Sequence, residues 1–539
     1  MIPRQPYTSA TNLIAGTATR YLVLGLNIGV GIILMPFTVR HLGQTNYGLW
    51  MLVASMTTYF QLLDLGYGNG VVRHLVEADR RDDPEEVNCI ASTFVCVYGM
   101  IACAACLAVG LMVIAVVPRF PHLTPPQVRL AQVLLAILGS RIAVGFPLTV
   151  FGAVSNARQG FVVNNLVASA VVLASAATTY VVLVSGGGLV TLVASTTAIN
   201  IAGYAGYAWN AYHLMPTLCI RPRYFSARRW REVTTFSVYL FVIQLASQVC
   251  FNIDNVVIGA SLGPALVAVY TIALRLAEYQ RRLCDQFSGM LFPVVMGFGR
   301  DMTALRAALV EGNRVGATMV TGASVVLIGF SGPLIRHWMG PAFDGSVAPF
   351  VFLAFAGMII VSQAASSNVL IACGEHRLVA TIWIGEAAGN LLLSVVLVRW
   401  LSLSGVAIGT LVPLVIGHLT IMLTRACRRV GMPVAACLFE TMRPAAIGGA
   451  IAAGACLFLR VKYPPASTAM VVVQAAFVGA VYVVSLATLG FDRRTRMAYG
   501  SQVLAAAGAL AAIASGRSGR RATKVDPDGL VASSATTPP

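Results

Sequence analysis

At 539 residues, with 57% hydrophobic and 11% charged side chains and a mean hydropathy of +0.78, the chain has a membrane composition. Soluble domains run at about 45–50% apolar and about 25% charged, so a water-soluble enzyme is excluded. The net charge of +17 is almost wholly arginine, with Lys462 and Lys524 the only lysines, and in so apolar a chain it points to an anionic membrane surface and not to nucleic acid.

Runs of about 20 apolar residues, enough to cross a bilayer, predict fourteen transmembrane helices: 19–39, 47–66, 89–117, 131–155, 161–185, 189–209, 234–261, 265–298, 316–335, 346–372, 379–398, 404–424, 444–460 and 468–489. The first run, from Tyr21 to Val39, is too long for a signal-peptide core and is expected to stay in the mature chain. Gly66-Tyr67-Gly68-Asn69-Gly70 follows a membrane span, not a strand, and reads as a helix end instead of a phosphate cradle. Cys103 and Cys106 form a CxxC inside an apolar run, where small packing residues are expected. Gly186-Gly187-Gly188 marks a tight break between the fifth and sixth spans. The Ala/Gly-rich stretch 497–515 is expected to lie in the interface plane, a fifteenth span being the alternative. The polar tail from Arg517 reads as disordered.

Neither lysine stands in a GxxxxGK[ST] setting, so a pump carrying its own Walker A ATPase is excluded, and no HExxH metal pair occurs. All loops are short, the longest near 67–88 and 210–233, which leaves no room for an extramembrane catalytic domain. Arginine clusters at Arg73/Arg80/Arg81, Arg221/Arg223/Arg228/Arg229/Arg231, Arg425/Arg428/Arg429 and Arg493/Arg494/Arg496 all fall on one side of the bilayer if both termini are cytoplasmic, as the positive-inside rule requires.

An internal repeat appears at an offset of 220 residues: Leu42-Gly43 followed by Tyr47-Gly48-Leu49-Trp50, and Leu262-Gly263 followed by Val267-Ala268-Val269-Tyr270. It divides the chain into a six-span lobe over 1–210, a basic cytoplasmic linker over 211–233, and a second six-span lobe over 234–425. An extra helix pair over 426–489 and a basic segment with tail over 490–539 follow. Parallel repeats of this kind imply a pseudo-two-fold axis along the membrane normal, with the substrate path between the lobes.

The eighth span carries Arg275, Glu278, Arg281, Arg282 and Asp285, which at about 100° per residue fall within a stripe of about 120°. A charge at the bilayer centre costs about 2.5–3.5 kcal/mol, so five facing lipid would cost on the order of 15 kcal/mol. The stripe therefore faces a wet cavity or another helix, unless the span's cytoplasmic end protrudes. The seventh span carries Gln244, Gln248, Asn252 and Asn255 at helical spacing with Asp254 alongside. The eleventh carries Glu386, Asn390 and Ser394, and Arg141 sits in the fourth, six residues before the helix-bending Pro147. The Asn, Gln and Ser positions equally suit interhelical hydrogen bonding; the ionisable ones point to function.

The run from Pro36 through Thr38-Val39-Arg40-His41-Leu42-Gly43 to Tyr47-Gly48-Leu49-Trp50 resembles the Wzx-type polysaccharide flippases of the multidrug/oligosaccharidyl-lipid/polysaccharide exporter superfamily. So do Leu63-Asp64-Leu65-Gly66 through Arg73 and Asp254-Asn255-Val256-Val257-Ile258-Gly259. These motifs cover about a quarter of the chain. The resemblance implies an all-α polytopic protein of two six-helix lobes around a central cavity, with two extra C-terminal helices. It implies no enzymatic activity but the flipping of a polyprenyl-pyrophosphate-linked oligosaccharide by alternating access, in a bacterial cytoplasmic membrane. Arginine forks suit phosphate oxygens, which makes Arg141, Arg275, Arg281, Arg282, Asn252, Asn255 and Gln248 the candidate substrate positions. Asp254, Glu278, Asp285 and Glu386 are the candidates for balancing charge or binding a coupling proton or sodium ion. No cofactor or metal is expected. A monomer is expected, with glycan polymerases or glycosyltransferases as candidate partners. The alternatives are a cation-coupled drug exporter of the same superfamily, whose cavity would be acidic, a membrane polymerase or ligase, which would need a large outer loop, and a non-transporting scaffold.

Overall fold

A computed structural model describes residues 10–64, 66–299, 301–491 and 496–497. Helices fill nearly all of them, and no strand occurs among them. In order these are α1 (Ala10–Leu42), α2 (Gln44–Thr58), α3 (Tyr67–Arg80), α4 (Pro84–Leu111), α5 (Pro125–Ala157), α6 (Phe161–Val184), α7 (Leu189–Leu214), α8 (Ala227–Leu262) and α9 (Pro264–Gly297). There follow α10 (Met302–Gly329), α11 (Ser331–Met339), α12 (Val347–Ser362), α13 (Ala364–Ala372), α14 (His376–Leu414), α15 (Leu423–Arg429), α16 (Val434–Lys462) and α17 (Thr468–Ser485). Beyond Met497, the predicted interfacial stretch 497–515 and the tail lie outside the described residues.

The helix starts follow capping chemistry. Asp83 accepts from the Glu86 amide ahead of Pro84, Ser226 from Arg229, Asp301 from Thr303 and Ala304, and Thr124 and Gln127 form a capping box. Each takes up an amide that the first helical turn leaves without a partner. The repeat is visible in the backbone: Gly43 (φ 79, ψ 159) and Gly263 (φ 89, ψ 171) turn the chain identically between consecutive helices, in a region that excludes a Cβ.

Nine helices are long and apolar enough to cross a membrane among the described residues, ten if α10 and α11, bent by 62°, form one span. The expected fourteen is not reached by apolar length alone, since α2 has 15 residues and α8 and α9, which bear the charged and polar stripes, are not among the nine. One of the nine, His376–Arg429, is 54 residues long and doubles back at Ser402 (φ 50, ψ −132), so it holds both predicted spans 379–398 and 404–424. Large apolar side chains such as Leu107, Ile114, Trp400 and Val461 stand exposed, as a lipid-facing surface requires. The stretch from 67 to 80 is a helix where a loop was expected. Tyr67, Val71, Leu75 and Ala78 recur on its one apolar face and pack on Ile90, Phe94 and Tyr98 of α4 and Val150 and Val154 of α5.

The chain forms two compact units: Met1–Tyr279 with Trp338–Leu353 and His376–Gly417, and Gln280–His337 with Ala354–Glu375 and His418–Pro539. The first contains the core just described. In the second, the predicted extra pair appears as α16 and α17, which bury Cys456, Val478 and Tyr482 against Phe330 beyond α10; the Tyr482 hydroxyl donates to the Thr318 carbonyl at 2.6 Å.

Prolines inside helices leave carbonyls without amide donors, and side chains from other helices serve two of them. Within the first unit, Pro36 frees the Ile32 carbonyl, and Trp338 Nε1 donates to it at 2.7 Å. Within the second, Pro444 frees the Glu440 carbonyl, and Arg314 Nε donates at 3.2 Å. Trp338→Phe, which keeps an aromatic ring but leaves that carbonyl unserved, is expected to lower stability by about 1–3 kcal/mol. Thermal unfolding in detergent measures it, and an unchanged midpoint would contradict it.

Candidate functional site

The first constellation is on α9. Arg275 lies eleven residues past Pro264, about 17 Å along the axis, and donates from Nη1 to Glu278 Oε2 at 2.9 Å, with side chains 42% and 20% exposed. The guanidinium is therefore neither sealed in packing nor at a helix end. The Tyr279 hydroxyl is seated against α1 at Gly31, where a Cβ would come within 2.1 Å of it. Arg281 is partly buried and Arg282 exposed. Asp285 and Gln244 lie outside the residues whose side chains are described. Arg141 is exposed on α5.

The second constellation is buried. Asp254 of α8 is 1% exposed. Its Oδ2 accepts from the Tyr270 hydroxyl of α9 at 2.5 Å and from the Thr410 hydroxyl of α14 at 3.0 Å, and its Oδ1 from Asn390 Nδ2 of α14 at 3.5 Å. Asn390 Oδ1 lies 2.8 Å from Ser394 Oγ and 3.4 Å from Thr410 Oγ1, and the Val406 carbonyl lies 3.3 Å from each of those hydroxyls. One carboxylate, one side-chain amide, three hydroxyls and one carbonyl thus meet in one buried cluster, with the Asn390 amide turning its nitrogen to Asp254 and its oxygen to Ser394 and Thr410. A hydroxyl has a single proton, so Thr410 cannot donate to all three neighbouring acceptors. The oxygens of such a cluster are of the kind that suits a hard cation. No group of three His, Cys, Asp or Glu side chains placed for a metal occurs among the described residues.

The predicted polar stripes separate by role. Asn255 donates to Ser55 of α2 at 2.8 Å, a buried interhelical bond. Asn252 donates to Gln248 Oε1 at 2.7 Å on a half-buried face. Glu386 is buried beneath Gly417, where a Cβ would lie 1.8 Å from its Oε1. Asn390 and Ser394 join Asp254 one turn beyond it. Sequence reasoning missed Tyr270, Val406 and Thr410, which are ordinary apolar-span residues until the fold brings α9 and the returning limb of α14 beside Asp254.

The basic linker is not a loose loop. Asn88 of α4 accepts from the Cys219 amide and donates to the Thr217 carbonyl, Ser92 accepts from the Arg221 amide, and Thr93 from that of Ser226. Arg229 bridges Glu86 at 2.6 Å and Glu232 at 2.7 Å. Hydrogen bonds from Arg229 and Arg228 hold the Glu232 carboxyl below the usual carboxylate range.

A family model described as polysaccharide biosynthesis protein matches residues 13–297. A curated relative, the uncharacterized membrane protein EpsK of Bacillus subtilis (strain 168), is 22% identical over 351 residues, 63% of this chain and 67% of its own. Among solved structures, a lipid II flippase MurJ in an inward closed conformation superposes with a TM-score of 0.65 at 14% identity, covering 88% of this chain and 98% of that one. An inward-facing multidrug resistance MATE family transporter of the MOP superfamily gives 0.61 at 16% identity, covering 75% and 94%. The fold is that of these polytopic membrane transporters.

Proposed function

Since the chain belongs to the polysaccharide biosynthesis protein family, we propose that it flips a polyprenyl-pyrophosphate-linked oligosaccharide from the cytoplasmic to the outer leaflet of a bacterial cytoplasmic membrane. The halves 1–210 and 234–425 alternate access to the cargo. The observation that carries this reading is the half-exposed Arg275, paired with Glu278 in the middle of α9. A guanidinium held at that depth is too costly against acyl chains, so it faces water, and a planar fork in water at mid-membrane suits pyrophosphate oxygens. Arg141 is the second phosphate ligand from the first half, and Arg281 and Arg282 extend the basic stripe toward the cytoplasm. A lipid II flippase sharing the fold supports a lipid-linked cargo. Mixed charge, with arginine prominent, disfavours a cavity for cationic drugs. The oxygen set around Asp254 holds the coupling cation, sodium, and the linker arginines face anionic headgroups.

The test is reconstitution of the full chain in proteoliposomes carrying a fluorescent polyprenyl-pyrophosphate glycan, with an impermeant quencher reporting the exposed leaflet. Protein-dependent flipping is expected. No flipping of this lipid, together with uptake of a cationic drug, would overturn the proposal in favour of an exporter.

A further inference from the structure

Opposite α9, the helix α1 carries a polar residue deep in its span. Tyr279, one turn beyond Arg275, meets α1 at Gly31, where a Cβ would lie 2.1 Å from its hydroxyl. One turn before Gly31 stands Asn27, which is exposed and lies three residues from Val30, the midpoint of the span Ala18–Leu42. We infer that Asn27 is a glycan-recognising residue, whose carboxamide takes hydroxyl groups of the sugars that follow the pyrophosphate. The inference rests on the flippase reading above and names the part of the cargo that this residue meets.

What surrounds α1 fixes the direction of this face. With Gly31 at 0° and about 100° per residue, Asn27 falls at about 320° and Arg20 at about 340°. Lipid lies on the other side: Leu22 and Ile33, at about 180° and about 200°, are 50% and 72% exposed. Thr19, at about 240°, accepts from Asn165 Nδ2 of α6 at 2.9 Å. Asn27 therefore stands between the α6 side and the α9 side, away from lipid. Its exposure, shared by Arg20, is to an open cleft within the first unit. A carboxamide is costly in hydrocarbon and useful in such a cleft. Its Nδ2 donates to the Val23 carbonyl at 2.8 Å, which leaves the second amide hydrogen and Oδ1 for a ligand. That donor and acceptor match adjacent sugar hydroxyls, each of which both donates and accepts; a pyrophosphate, which only accepts, would use half of the pair. The start of α9 lies beside the end of α1, where Gln44 donates to the Ala265 carbonyl, so the two helices run in opposite directions. Arg275 is then one turn from the Tyr279–Gly31 contact on the side of Gln44, and Asn27 one turn on the other side, about 12 Å away along the helices. A pyrophosphate held at Arg275 leaves its glycan beside Asn27.

Asn27→Leu keeps the size of the side chain and removes both polar atoms. The purified full chain is titrated with the polyprenyl-pyrophosphate glycan extracted from membranes of the cells that make it, and with polyprenyl pyrophosphate bearing no sugar. Wild type should bind the glycan lipid more tightly than the bare one. Asn27→Leu should weaken binding of the glycan lipid by about three- to tenfold, the scale of one neutral hydrogen bond, and leave the bare lipid unchanged, whereas Arg275→Ala should weaken both. In proteoliposomes, Asn27→Cys should react with an impermeant thiol reagent supplied on both sides, above the parent chain's own background, and Leu22→Cys should not. Equal losses for the two lipids in Asn27→Leu, as a merely structural role gives, or no loss for either, would overturn the inference. So would a wild-type chain that binds the two lipids equally, or labelling at position 27 no faster than at position 22. A wild-type chain that binds neither lipid would instead overturn the flippase reading beneath it.

Discussion

Arg275→Ala is expected to reduce flipping by about 10- to 150-fold with the chain still folded, the scale of about 1.5–3 kcal/mol for hydrogen bonds to a charged partner. Arg275→Lys should fall between that and wild type, because it keeps the charge and loses the planar fork that contacts two phosphate oxygens at once. A second cause must be separated from the first. Removing the guanidinium also takes the 2.9 Å partner from Glu278, and leaving one charge of a pair behind is itself destabilising. The double variant Arg275→Ala, Glu278→Gln distinguishes them. If flipping stays low, Arg275 acts on the cargo. If the double variant recovers, the loss came from the stranded carboxylate, and the phosphate role falls.

Gly48→Ala should have the second large effect, on conformation and not on cargo binding. A Cβ at residue 48 would lie 1.8 Å from the Pro264 carbonyl oxygen and 3.1 Å from the Ala268 amide nitrogen. Both are backbone atoms, so neither can step aside as a flexible side chain would. The contact joins the start of α2 to the start of α9, the same pair that Gln44 Nε2 bridges by donating to the Ala265 carbonyl at 3.1 Å. Overpacking of this kind costs about 1–3 kcal/mol, or about 5- to 150-fold in an equilibrium between seam closed and seam parted. Cysteines placed at Gln44 and Ala265 should cross-link readily in the parent chain and poorly once Gly48→Ala is added. Equal cross-linking in both would show that the seam tolerates the methyl group.

What could be read ahead of the fold depended on how local its physics is. The break at Gly186 and the matched turns at Gly43 and Gly263 were legible because chain reversal needs a particular backbone, which glycine announces. Asp254, Glu386 and Arg275 stood out because ionisable groups are expensive in lipid wherever they point. Their partners could not be read: Tyr270 lies 16 residues from Asp254 and Thr410 lies 156 away, and only tertiary packing brings them together. Asn255 and Asn252 shared a stripe in the sequence, yet one went to Ser55 of α2 and the other to Gln248 of its own helix, because a stripe's spacing does not say which neighbour fills it. The helix over 67–80 was hidden by its charges, since its apolar face is only one residue in three or four. The Ile32 carbonyl was predictable as unserved from Pro36, but nothing local pointed to Trp338 as its donor.

The most direct measurement concerns water at Arg275. With cysteine in its place, labelling by a membrane-impermeant thiol reagent added from the cytoplasmic side, read above the parent chain's own background, should be rapid. A polyprenyl-pyrophosphate glycan should slow it, and an equal amount of the dephosphorylated polyprenol should not. Labelling no faster than that of a cysteine at lipid-exposed Ile114, with or without the glycan, would contradict a wet, phosphate-binding position in the middle of this helix.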